Sequence, residues 1–148
     1  MTPLWARDIL KPSFSLVALV AQVPEDLWYT SEHEYLRATE DPMIVDVGIT
    51  DYAQGELGDV VFVNLPKVGE KYSAQQAFGT IEAVKAVSDL YAPVAGQVVA
   101  VNEDLEKDPA LVNREPYGGG WMIRLKVASR GDLTTLLNAA DYRAHIGA

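Results

Sequence analysis

Phe78–Pro93 reads FGTIEAVKAVSDLYAP, and the fold follows from where this stretch bends. Two β-prone arms rich in Val, Ile, Phe and Tyr lie on either side of Lys85, so the chain folds back there as a hairpin with Val84 and Ala86 flanking the lysine. A lysine at such a tip projects into solvent. Glu82 and Asp89 lie on opposite arms close to it and frame one amine with two carboxylates. On spacing alone, a tip lysine most often blunts a strand edge against aggregation. The hairpin therefore predicts the fold, and only its surroundings speak to function.

Outward from the hairpin, two Pro-x-x-Gly turns echo one another. Pro66–Gly69 leads into a strand over Glu70–Ser73, and Pro93–Gly96 leads into one over Gln97–Val101. Two such units fit the quasi-symmetric halves of a flattened barrel, with the Lys85 segment crossing between them. Met43–Ile49 and Asp59–Leu65 read as further strands, and Trp121–Val127 alternates as another. Thr50 is placed to cap a short helix over Asp51–Leu57 that Gly58 stops. The stretch DPALVNREPYGGG reads as a loop, because Pro109, Pro116 and Gly118–Gly120 oppose regular structure along it. In the tail, Asp132 is expected to cap a helix over Leu133–Asn138 and Asp141 a last turn through Tyr142 and His145.

At 148 residues the chain suits one mainly β domain, taken as residues 23–148. Residues 1–22 differ in character, with an apolar stretch Phe14–Ala21 behind Arg7 and Lys11. Three readings stand for them. A secretory segment is weakened by Asp8, Pro12 and the lack of a clean cleavage site, and an organellar presequence needs more Arg and Ser. The third is an extension outside the core fold, or a start codon assigned too early.

Lys and Arg number 12 against 21 Asp and Glu, a net charge of −9, which argues against nucleic acid and anionic membrane surfaces as partners. No run approaches the roughly 18 apolar residues of a membrane span. There is no Cys, so thiolate metal sites and Cys nucleophiles are excluded and any sulfur chemistry must be imported. His33 and His145 are the only histidines, without carboxylates at ligand spacing, so no metal is expected. Ser31, Ser73 and Ser88 show no paired base, and Gly118–Gly120 lacks the lysine and context of a phosphate loop.

Seven blocks then carry a resemblance: YTSEHEY (Tyr29–Tyr35), VGITDYAQ (Val47–Gln54), LGDVVFVNL (Leu57–Leu65), EAVKAVSDLYAPVAG (Glu82–Gly96), VNEDL (Val101–Leu105), LVN (Leu111–Asn113) and PYGGGW (Pro116–Trp121). In order and spacing they resemble the H protein of the glycine cleavage system over most of Val23–Tyr142. Two positions depart from the family pattern: Ala83 stands where Ser is usual, and Tyr35 where Trp is common.

The resemblance implies a flattened lipoyl/biotinyl-type barrel-sandwich hybrid with short helices, including one at the C-terminus. It implies lipoate joined by an amide to Lys85, on a carrier with no catalytic residues of its own. It also implies four partners: a glycine decarboxylase, an aminomethyltransferase, a dihydrolipoyl dehydrogenase and the lipoate-attaching enzyme. Glu34 and Asp89 match positions that hold the amine of the loaded arm, folded onto the carrier surface, while Glu82 and Asp89 match recognition by the attaching enzyme. A monomer is expected, in the bacterial cytoplasm, with the mitochondrial matrix as the alternative. The same fold also suits an H-like protein relaying octanoyl or lipoyl groups, and a plain interaction module would leave Lys85 unmodified. Biotinyl domains favour Met on both sides of the lysine, unlike Val84 and Ala86, and acyltransferase lipoyl domains lack the His-Glu and Pro-Tyr-Gly blocks.

Overall fold

Alternation of buried and exposed side chains turns the β-prone runs into half-buried strands that need a second layer. A computed structural model describes residues 17, 18 and 21–148, and among them nine strands form two sheets. The strands are β1 (Trp28–Tyr29), β2 (Glu34–Ala38), β3 (Ile44–Ile49), β4 (Val60–Asn64), β5 (Lys71–Tyr72), β6 (Ala77–Ala83), β7 (Ala86–Tyr91), β8 (Gly96–Val101) and β9 (Ile123–Val127). One sheet runs β1-β2-β3-β9-β8-β5 and the other β4-β6-β7, with every pairing antiparallel. The mainly β sandwich expected from the sequence is the fold observed.

Leu36, Val45, Val47, Val63, Ile81, Leu90, Val98, Ile123 and Leu125 fill the main core. The two Pro-x-x-Gly units pair with each other: Lys71 opposes Gln97, and the Gly69 N–H donates to the Val98 carbonyl at 2.8 Å. The chain between them leaves this sheet and forms the β6–β7 hairpin of the second.

Helix α1 (Asp51–Leu57) forms as read, with the Thr50 hydroxyl accepting from the Ala53 N–H and Gly58 ending it at φ 80°. Two one-turn helices, α2 (Asp104–Lys107) and α3 (Leu111–Arg114), follow β8. The second corrects the loop reading, since a turn of helix fits between Pro109 and Pro116.

The tail departs further. Arg130–Thr135 is a 3₁₀ turn, not part of a helix over Leu133–Asn138. The Thr134 and Thr135 hydroxyls bond the carbonyls of Gly131 and Asp132, which competes with helix extension. Leu137 instead exchanges two backbone hydrogen bonds with Tyr29. The true terminal helix, α4 (Ala139–Ile146), is capped by Asn138, whose side chain accepts from the Asp141 N–H, so Asp141 lies inside the first turn.

Its buried residues Ala139, Tyr142 and Ile146 share one face and join Tyr29, Tyr35 and Tyr52 in a second core. Tyr142 stacks on Tyr29 at 4.6 Å. Val17 and Ala18 pack on the same cluster, while the expectations for the rest of residues 1–22 fall mainly on residues outside those described. Among the described residues no helix is long and apolar enough to cross a membrane.

Candidate functional site

The β6–β7 hairpin pairs Ala83 with Ala86, leaving Val84 and Lys85 as the turn. Neither has a positive φ, so the tip bends with ordinary backbone and tolerates a lysine without strain. Lys85 is exposed. Its base is held from below by the Val84 N–H, which donates to the Asp59 carbonyl at 3.0 Å.

That support is itself clipped by Asn113, on α3. Its amide nitrogen donates to the Gly58 carbonyl at 2.8 Å and to Gln54 Oε1 at 3.0 Å, while its oxygen accepts from the Val60 N–H at 2.9 Å. Gly58 serves twice. Its positive φ turns the chain from α1 into β4, and a Cβ there would come 3.2 Å from Lys85 Cε. The missing side chain leaves a cradle beside the lysine stem. The link from Asn113 and Gly58 to Lys85 was not legible, because it runs between elements distant in sequence.

Directly opposed residues share a face of a sheet, so Glu82 and Val87, then Thr80 and Asp89, line the outer side of the hairpin. Glu82 and Asp89 are both exposed there. The usual family Ser two residues before the lysine is replaced by Ala83, on the inner, buried side, away from this face. Tyr35, the other departure, is buried. Its hydroxyl donates to the Pro116 carbonyl at 2.5 Å, and its ring occupies the place that a side chain on Gly48 would need.

Glu34 is not a surface acid but is only 2% exposed. It accepts from the Thr30 hydroxyl at 2.7 Å, and the Tyr91 backbone also bonds to it. Burial nonetheless dominates and pushes its pKa up to about 8. Tyr91, at the end of β7, feels the same group of acids: desolvation and the nearby Asp89, Glu32 and Glu34 raise its phenol. The structure thus gathers Glu34, Asp89 and Glu32 around Tyr91, with Asp89 exposed and Glu34 behind it. Glu32 and Tyr91 were missed in sequence because each looks like an ordinary surface residue.

His33, beside Glu34, takes φ 71° and sits buried between helix and sheet. Its Nδ1 lies 2.7 Å from the Tyr142 hydroxyl, which lies 2.7 Å from the Thr50 hydroxyl. Desolvation, then the nearby His145, lower its pKa to about 3, so the ring is neutral near pH 7. A groove of about 320 Å³ lined by Thr30, Ser31, Pro93, Val94 and Asp132 opens near this loop. Pro93 lies about 26 Å along the strand from Lys85 at 3.3 Å per residue, so this groove lies beyond the lysine.

The glycine cleavage H-protein family model matches residues 27–147. The chain is 52% identical over 130 residues to the glycine cleavage system H protein of Mycolicibacterium vanbaalenii, covering 86% of this chain and 98% of that relative. It is 52% identical over 125 residues to that of Bacteroides fragilis, covering 84% and 98%. The crystal structure of a glycine cleavage system H protein from Mycobacterium marinum matches with a TM-score of 0.77 at 42% identity, covering 85% of this chain and 100% of that one. In sequence and in fold alike, the chain belongs to the glycine cleavage H-protein family.

Proposed function

We propose that this chain is the lipoyl-carrying shuttle of the glycine cleavage system, with lipoate on Lys85 and the carrier domain over residues 23–148. The single observation that carries the attachment site is the exposed Lys85 at a braced hairpin tip, with a glycine cradle beside its stem. Residues 23–148 as the domain are supported by the family match over 27–147. The two relatives named above are bacterial, which favours the cytoplasm over the mitochondrial matrix.

When bound, the dithiolane supplies a disulfide that one partner loads with an aminomethyl group, a second unloads and a third reoxidises. These are the decarboxylase, the aminomethyltransferase and the dihydrolipoyl dehydrogenase. The chain supplies reach and shelter. An extended lipoyl-lysine measures about 14 Å, from a dozen bonds of roughly 1.5 Å in staggered chain. Asp89 is four residues beyond Lys85, about 13 Å along β7. Asp89, with Tyr91 and Glu34 near it, lies within that reach and would be placed to hold the cargo of a bound arm.

There a cationic amine would meet one exposed carboxylate, Asp89, and one buried carboxylate, Glu34. The buried acid is protonated near pH 7, and a cationic amine beside it would favour its charged form. Neither group needs to react. They hold the cargo and keep water from it between partners.

The test is reconstitution. Purified decarboxylase, aminomethyltransferase and dehydrogenase with glycine, tetrahydrofolate and NAD should release CO₂ only when the lipoylated chain is added, and not with Lys85→Arg. Release that is unchanged by Lys85→Arg would overturn the assignment. Deleting the gene should stop glycine breakdown alone, whereas loss of cofactor from all lipoylated complexes would make the chain a relay.

A further inference from the structure

The register of the six-stranded sheet puts its charges in two rows on one side. Arg37 opposes Asp46, Asp46 opposes Arg124, and Arg124 opposes Ala100. Two residues along, Ile44 opposes Lys126, Lys126 opposes Gln97, and Gln97 opposes Lys71. Opposed residues share a face, and so do residues two apart along β3 and β9, so the rows lie side by side. The intervening Val45, Val47, Val98 and Leu125 point the other way, into the main core they share with Val63, Ile81 and Leu90 of the smaller sheet. The charged rows therefore form the back of the larger sheet, opposite the layer that carries Lys85.

This back runs against the charge of the chain. Arg7, Asp8 and Lys11 apart, there are ten cations and twenty acids, yet the two rows hold four of the cations and one acid. That acid is already engaged: Asp46 Oδ1 accepts from Arg124 Nε at 2.9 Å, and the Arg124 guanidinium lies 4.6 Å from the centre of the Trp121 ring. Arg37 is held 5.7 Å from the Tyr35 ring. Glu40 and Asp41 sit in the β2–β3 turn, at one corner of the face, and the Glu70 carboxylate accepts from the Tyr72 hydroxyl. Lys71 and Lys126 are exposed and, among the described residues, enter no ion pair. They flank a groove of about 420 Å³ that Met43, Ala95 and Val127 also line. Cations without local counter-charge beside an apolar hollow suit carboxylates together with one apolar side chain.

We propose that the back of the larger sheet is a docking face for an acidic segment of a partner protein. Its carboxylates lie along Arg37, Arg124, Lys126 and Lys71, and one apolar side chain enters the groove. The net charge of −9 selects this occupant. An extended polyanion, such as nucleic acid or an anionic membrane, also meets the acids that crowd the rest of the surface, whereas a compact acidic patch meets the back alone. A partner held there leaves the opposite layer uncovered, so the hairpin stays free to present its lysine elsewhere. Holding the carrier in this way raises its local concentration without entering the chemistry. Assigning the acidic segment to one of the three enzymes the shuttle serves rests on the carrier reading, while the face itself does not.

The test uses the full chain, labelled with ¹⁵N, and an oligoglutamate peptide with one central leucine. At low salt the amide shifts should saturate and be confined to β5, β8, β9 and the Arg37–Asp46 pair. Lys71→Glu/Lys126→Glu should weaken binding by about tenfold or more, and Lys107→Glu, on α2 beside β4, should stay within about twofold of the parent. All three substitutions exchange exposed side chains, so none removes core packing. In turnover of the lipoylated chain, the double variant should raise KM by about tenfold for one of the three enzymes, with kcat within about twofold and lipoylation at the parent rate. Shifts scattered over the surface, or parental binding by the double variant, would overturn the face. A DNA duplex or phosphatidylserine vesicles that bind the back more tightly than the peptide would overturn the acidic protein as its occupant. An unchanged KM with all three enzymes would overturn the assignment to them, and a parent chain never lipoylated on Lys85 would overturn the carrier reading alone.

Discussion

Glu34 and His33 are adjacent in sequence and buried together, yet they respond to pH in opposite directions. Glu34 has its folded pKa raised from 4.5 to about 8, so the folded state binds the extra proton in that window. Stability is therefore lost as pH rises through it. His33 has its folded pKa lowered from 6.5 to about 3, so the unfolded state binds the extra proton and stability is lost as pH falls. Between 4.5 and 6.5 the two oppose each other, and above 6.5 Glu34 acts without His33. Glu34→Gln is expected to flatten the decline in urea midpoint between pH 6.5 and 8 that the parent shows. A parent midpoint that rises across that range contradicts the burial of a protonated Glu34. None of this was legible from the His-Glu block, where Glu34 read as a group on the carrier surface and His33 was only set aside as a metal ligand. His33 is covered by Tyr142 and His145 of α4, and Glu34 is held by Thr30.

The hairpin and α4 show what a chain segment reveals by itself and what it does not. Thr50, Gly58 and the β-prone arms around Lys85 carry local signals, and the elements they predict form within a residue or two. The tail failed because Asp132 and Asp141 have the right residue type for caps, while the helix start was decided by Leu137 pairing with Tyr29. That contact spans most of the chain. The same holds for Asn113, whose three hydrogen bonds brace the loop under the hairpin tip. Asn113→Ala should cost about 1–3 kcal/mol, because buried partners lose their bonds. Amide exchange at Val84 should quicken more than at the core strand β9, as hydrogen-exchange mass spectrometry would show. Tyr142→Phe leaves His33 Nδ1 and the Thr50 hydroxyl without their shared partner. A loss of about 1–3 kcal/mol in denaturant titration is expected, and a neutral change would mean that the network adds nothing.

At the scale of the whole molecule, the two sheets form the base, and the lysine proposed to carry lipoate stands at one end of the smaller one. Composition announced the acidic surface, and the seven sequence blocks announced the family. The basic back of the larger sheet was hidden, because only the strand register gathers Arg37, Lys71, Arg124 and Lys126 on one side. A net charge of −9 predicts that productive encounters with basic partner surfaces weaken with salt. KM for the lipoylated chain with its partners should rise between low and physiological ionic strength, with kcat much less affected. A KM independent of salt would remove electrostatics from docking.

The central claim concerns one nitrogen atom, and the mass of the Lys85 peptide tests it most directly. From cells that make lipoate and hold active attaching enzyme, the account predicts one lipoyl group on Lys85 and none on the other lysines. An unmodified Lys85 under those conditions, with a known lipoyl protein modified in the same cells, would contradict it.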